Sequence, residues 1–124
     1  MVIHESAEDY LESILVLKER RGVVHSIDIV NELGYSKPSV SIAMKKLREN
    51  GYISMSPDGS ITLNESGLAI ASRVYDRHKT ITRLFVLLGV SPDAAAEDAC
   101  KVEHDVSEKT FAAICAHVAR QESM

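Results

Sequence analysis

The chain has 124 residues, 45% of them hydrophobic, with a net charge of −4 and an isoelectric point near 5.7. That length allows one compact domain or two small lobes, and the acidic balance excludes indiscriminate coating of nucleic acid but not a locally basic docking face. Two cysteines are too few for a secreted disulfide framework, no apolar run reaches the roughly 18 residues of a membrane span, and Met1-Val2-Ile3-His4-Glu5 has neither a basic nor an apolar leader segment. These points favour a cytoplasmic protein.

Trp is absent and aromatics make up 5% of the chain, so the expected core is aliphatic. Stretches with a 3.6-residue period predict a mainly α fold. The first helix runs from about Ser6 to Arg21, with Ala7, Tyr10, Leu11, Ile14 and Leu15 on one face. Ser6 and Asp9 resemble a weak capping box, and Gly22 stops the helix. A second helix covers Ser26 to Leu33, with Ser26 as N-cap and Gly34 as its end. A third starts at Ser36, carries Pro38 in its first turn and ends at Asn50-Gly51. Two helices joined by a turn at Gly34 make a helix-turn-helix pattern.

Tyr52-Ile53-Ser54-Met55 and Ser60-Ile61-Thr62-Leu63 flank Ser56-Pro57-Asp58-Gly59. Alternating short strands around a Pro-Asp-Gly turn predict a hairpin, which in this place is a wing. Asn64 then caps a long helix reaching about Leu88 and broken at Gly89. Two further helices are expected at about Asp93–Asp105 and Glu108–Gln121, with Pro92 opening one and Ser107 capping the other. The expected organisation is a winged helix-turn-helix lobe over residues 1–72 and a helical lobe over 73–124.

The third helix carries Lys37, Lys45, Lys46 and Arg48 against Glu49. Its start offers Ser36, Lys37, Pro38, Ser39 and Ser41, short side chains suited to phosphates and base edges. A recognition helix places its N-terminal residues in the major groove, and Ser60 of the wing is a candidate contact to the flanking backbone. The plainer reading is a solvated basic face. Helix, turn, basic helix and hairpin in that order favour DNA binding, although winged helices also serve as protein-interaction modules.

The stretch most loaded with chemistry is Cys100-Lys101-Val102-Glu103-His104. On one helix, positions 100, 103 and 104 fall within an arc of about 100°. Thiolate, carboxylate and imidazole together suit a borderline transition metal. Three such ligands do not make a tight site, so others must come from elsewhere. Asp9 and Glu12 lie one turn apart on the first helix, and His78 borders the apolar stripe of the long helix. Six ligand-type residues could form one site or two neighbouring ones. Each also has an ordinary structural reading, as a solvated face or a satisfied histidine. Cys115 shares a face with Phe111, Ile114 and Val118 and reads as core packing. His4, His25 and His117 read as incidental.

Glu8-Asp9-Tyr10-Leu11-Glu12, Ser36-Lys37-Pro38-Ser39-Val40-Ser41, Leu63-Asn64-Glu65-Ser66-Gly67, Arg77-His78 and the stretch Cys100 to Ser107 together resemble the diphtheria toxin repressor family of iron- and manganese-dependent transcriptional regulators. The resemblance spans nearly the whole chain and implies a short form without the SH3-like domain of longer members. It implies a homodimer that binds a palindromic double-stranded operator, as a repressor, when Fe(II) or Mn(II) is bound. By position, the implied ligands are Asp9, Glu12, His78, Cys100, Glu103 and His104. Cys100 matches iron-type members, whereas Asp9 and Glu12 match manganese-type members. Thr82 and Ala96 stand where some iron-type members place further ligands, and Ile42 where some have a polar base-reading residue.

The thiolate favours Fe(II) over Mn(II) and the three carboxylates oppose it. The balance adopted at this level is Fe(II), with Zn, Co or Ni also binding in vitro. Without metal, Asp9, Glu12, Glu103 and a Cys100 thiolate would crowd up to four negative charges, so the expected switch is metal-dependent DNA binding. Ile81, Leu84, Phe85, Val86, Leu87, Leu88 and Val90 are apolar almost all round the long helix, which predicts a subunit partner. Two other classes stay open: a metal-independent winged-helix regulator or interaction module, and a small zinc hydrolase using Cys100, His104 and His78 with Glu103 as base. No substrate-binding loop favours the hydrolase, so the chain is read as a non-enzyme.

Overall fold

The structure, a computed structural model, describes residues 5–123. The reading of residues 1–4 and of His4 lies outside them. The chain forms two compact units, one ending at Arg73 and the other beginning at Val74.

The first unit contains α1 (Glu5–Arg21), α2 (Ser26–Leu33), α3 (Lys37–Glu49), β1 (Ile53–Met55), β2 (Ile61–Leu63) and the start of α4 (Glu65–Leu87). Apolar side chains at helical spacing bury Tyr10, Leu11, Ile14 and Leu17 of α1 against Ile29 of α2 and Val40, Met44 and Leu47 of α3. Ile53 and Ile61, one from each strand, and Ala71 of α4 close this aliphatic core. Tyr10 meets Tyr35 edge to face, with ring centroids 5.6 Å apart. The helix stops are chemical: Gly22 and Gly34 take φ of +86° and +73°, and their N–H groups donate to Lys18 and Val30 carbonyls.

β1 and β2 pair antiparallel, Ile53 opposite Leu63 and Met55 opposite Ile61. The wing is held at both ends. The Ile61 N–H donates to the Val24 carbonyl at 2.7 Å. At the other end Asn64 accepts from the Ser54 hydroxyl at 2.7 Å and donates to the Gly51 carbonyl at 3.0 Å. α4 leaves the wing in close contact with it. A Cβ on Gly67 would stand 2.2 Å from the Tyr52 carbonyl oxygen, so only hydrogen fits.

The second unit holds the rest of α4, α5 (Pro92–Val102) and α6 (Glu108–Glu122). Ser91 and Ser107 cap α5 and α6 by accepting from Ala94 and Thr110 N–H groups. Its buried apolar residues are few: Val74, Ile81, Ala95, Ala99 and Val118.

Several sequence-based expectations need correction. Ser6 lies inside α1 and is not its cap. The N-cap of α2 is His25, not Ser26, because the Asp28 carboxylate accepts from the His25 N–H at 2.8 Å. The bond uses the main-chain N–H of His25 and not its imidazole. Asn64 starts the α4 ladder through its carbonyl, which accepts from the Leu68 N–H, while its side chain serves the wing. α4 ends at Leu87, and α5 ends at Val102, three residues before the expected Asp105. Cys115 is half-buried rather than in a core.

Candidate metal centre and nucleic-acid interface

In the first unit α3 carries a basic exposed face. Its buried residues recur at 40, 44 and 47, which turns Lys37, Pro38, Ser39, Ser41, Lys45, Lys46 and Arg48 outward, and all seven are exposed. Ser36 is the N-cap: its oxygen accepts from the Ser39 N–H at 3.2 Å and its hydroxyl donates to Ser39 Oγ at 2.9 Å. That duty leaves Ser39 and Ser41 as the hydroxyls of this face inside the helix proper. Lys45 forms an exposed i,i+4 ion pair with Glu49 at 3.9 Å, worth a few tenths of a kcal/mol at most. Arg48 leans toward the wing, with Nη1 3.5 Å from Met55 Sδ. Ser60 is half-buried at the wing tip, its N–H donated to Asp58 Oδ1 at 3.0 Å. That bond holds the Asp58 carboxyl below the usual carboxylate range.

The second unit draws two of its charged side chains, Arg77 and Glu103, out of solvent. Glu103 caps the end of α5 and its carboxylate is fully withdrawn from solvent. His78 of α4 places Nδ1 2.9 Å from Oε2, and His104 places Nε2 3.5 Å from Oε1. Oε1 of Glu103 has no hydrogen bond among the described residues. Arg77, next to His78, is also buried. Its guanidinium donates to the Glu103 carbonyl at 3.2 Å and to the Val106 carbonyl, and stacks over Phe111 at 5.0 Å from the ring centre. Two successive residues of α4 thus grip one glutamate, Arg77 by its main chain and His78 by its side chain.

A buried carboxylate is costly unless positive charge balances it. Nitrogen donors face both oxygens of Glu103, one of them otherwise unbonded, and this donor chemistry fits a divalent first-row ion. The helical path expected from the sequence holds as far as Glu103, whose N–H still donates to the Ala99 carbonyl at 2.9 Å, and stops there. Cys100 lies on the last turn of α5 and is exposed, Glu103 ends the helix, and His104 sits in the turn beyond it. The structure brings together His78, Glu103 and His104. Asp9 and Glu12 are half-buried, one turn apart on α1. Arg77 was missed as a member of the cluster. Its signal was available, since it falls three residues after Val74 and four before Ile81, on the stripe that α4 buries.

Comparison with known proteins decides the class. Residues 3–61 match the iron dependent repressor N-terminal DNA binding domain, and residues 64–123 match the iron dependent repressor metal binding and dimerisation domain. The chain belongs to the iron dependent repressor family. An uncharacterised HTH-type transcriptional regulator of Methanocaldococcus jannaschii is 37% identical over 107 residues, covering 85% of this chain and 86% of that relative. The transcriptional regulator MntR of Salmonella typhimurium is 35% identical over 112 residues, 90% of this chain and 71% of the relative. A solved manganese-dependent transcriptional repressor in complex with manganese superposes with a TM-score of 0.84 at 30% identity, over 91% of this chain and 52% of that one. The chain thus spans about half the length of the solved repressors it matches.

The resemblance to the diphtheria toxin repressor family therefore stands, as do the mainly α fold and the winged N-terminal region. Iron dependent repressors are transcriptional regulators and not enzymes, which removes the hydrolase alternative. No described helix is long and apolar enough to cross a membrane.

Proposed function

We propose that this iron dependent repressor homologue is a cytoplasmic metal sensor that binds a palindromic double-stranded operator as a homodimer and represses genes of metal homeostasis. In this reading residues 1–72 contact DNA through Ser36, Lys37, Pro38, Ser39, Ser41, Lys45, Lys46 and Ser60. Residues 73–124 sense metal and pair the subunits. The observation that carries it is the buried Glu103 carboxylate flanked by two imidazoles, in a chain whose third helix displays clustered cations. The proposed ligands are His78, Glu103 and His104, with Asp9, Glu12 and Cys100 added by the family resemblance. When bound, a divalent ion supplies positive charge that offsets the Asp9, Glu12 and Glu103 carboxylates. Leu87 and Leu88, 38% and 70% exposed at the end of α4, support a subunit interface there.

The sequence-based lean to Fe(II) rests on the Cys100 thiolate alone. Cys100 is exposed, whereas the withdrawn donors around Glu103 are nitrogen and oxygen. Such donors suit Mn(II) as well as Fe(II), and the MntR relatives add weight to manganese. The metal proposed is Mn(II). An anaerobic operator-binding assay across Mn(II), Fe(II), Zn(II) and chelator tests both levels. Operator affinity unchanged by chelator at fixed salt removes the switch, and Fe(II) activating at lower free concentration than Mn(II) reverses the metal assignment. Cys100→Ala decides the thiol's part: a loss of tenfold or more in metal affinity keeps it among the ligands, and unchanged affinity removes it.

A further inference from the structure

α3 buries Val40, Met44 and Leu47. At about 100° per residue, Ile42 falls almost diametrically opposite that face, and it is 58% exposed. Pro38 and Ser39 lie one turn before it and Lys45 and Lys46 one turn after, all exposed. A single exposed isoleucine is ordinary. This one stands at the centre of the basic face, where the cations flanking it complement a phosphate backbone.

The apolar group that a base pair displays in the major groove is the C5-methyl of thymine. A branched aliphatic side chain has no donor or acceptor to offer a base edge, so its gain on docking comes from covering that methyl. We propose that Ile42 is a specificity-determining residue that reads thymine in each operator half-site through its methyl group. The proposal rests on the DNA-binding role of α3 and names a base that this role leaves open. Val23, Ile27 and Tyr35 are also exposed, but they lie off the α3 face and carry no such expectation.

The test begins by selecting duplexes of about two helical turns from a random library with Mn(II)-loaded protein. Each thymine of the selected site is then replaced by deoxyuridine, which removes one methyl and no hydrogen-bonding group. Binding is read by fluorescence anisotropy at fixed salt. For the native chain, one substitution per half-site is expected to weaken binding about fourfold, the factor that corresponds to one buried methyl. For Ile42→Ala, whose side chain is not part of the core, that penalty is expected to vanish while the other positions keep theirs. Identical uracil penalties in Ile42→Ala and native protein overturn the proposal and leave the DNA-binding role standing. So does a native protein indifferent to every uracil. Failure to select any duplex overturns the DNA-binding role itself, and Ile42 with it.

Discussion

The two units of this chain solve the problem of stability differently. Among the described residues, the first buries twelve hydrophobic residues in one cluster and leaves its charges outside. The second, again among the described residues, buries five, two of them alanines, and takes an arginine and a glutamate inside. A short helical segment with so little apolar burial sits near the lower limit of what can fold unaided. The difference teaches where function is stored: in the first unit on the surface of a self-sufficient core, in the second within the packing itself.

Truncation of the first core should have the largest effect. Leu11→Ala is expected to lower unfolding free energy by about 3 kcal/mol, read by denaturant titration, with the metal-dependent increment in stability retained. Next comes Glu103→Gln, which keeps the shape but replaces one acceptor oxygen by a donor amide and removes the charge. At a metal concentration 100 times the native dissociation constant, the native chain should gain about 2.7 kcal/mol, and the variant should gain almost none while its metal-free stability moves by less than about 1 kcal/mol. A variant still stabilised by Mn(II) would show that Glu103 is not a ligand and that its burial is purely structural.

Arg77→Ala leaves the Glu103 and Val106 carbonyls without their donor and is expected to cost about 2 kcal/mol in the metal-free protein. Arg77→Lys should recover part of that stability, because a single nitrogen, Nη1, makes both bonds and an ammonium also carries several donors, but it gives up the planar stack on Phe111. Smaller still in stability is Lys45→Ala with Lys46→Ala, within about 0.5 kcal/mol. Its effect belongs to DNA, where the slope of log affinity against log salt should flatten by about one unit for each phosphate that is no longer neutralised.

The smallest effect concerns the wing. Asp58 is held below the ordinary carboxylate range by the Ser60 N–H. Its contribution is therefore fully present above the unfolded carboxyl's titration and is lost as pH falls through the lower, folded value. Asp58→Asn should flatten the acid limb of the stability profile and leave neutral pH almost unchanged. An identical acid limb in both proteins would show that the turn does not depend on this bond.

The same contrast explains what the sequence disclosed. Periodicity and punctuation gave the elements of the first unit, because Gly22 and Gly34 take backbone angles that other residues avoid, and serine caps announce α3, α5 and α6. The end of α5 was not legible. Glu103 keeps right-handed helical angles at the C-cap, so no glycine or proline marks the stop, and a helix drawn onward to Asp105 ran three residues too far. His25 was passed over because imidazole is not a usual cap; the capping atom belongs to Asp28. Arg77 was passed over because a charged residue is assumed to face water, although its spacing lay on the buried stripe. Ligand types were readable from composition, but which of them are drawn together depends on chain reversal after Val102, a tertiary property.

The amide of Asn64 has a consequence for the thermodynamics of recognition. Two strands of three residues are too short to hold one shape in water by themselves. By bonding at once to Ser54 and to Gly51, this side chain joins the Ile61–Val24 bond in restricting the hairpin during folding, when the core supplies the driving force. In the operator complex proposed above, a wing ordered in advance would have little entropy left to surrender to a phosphate backbone, so any contact it made would count more fully toward affinity.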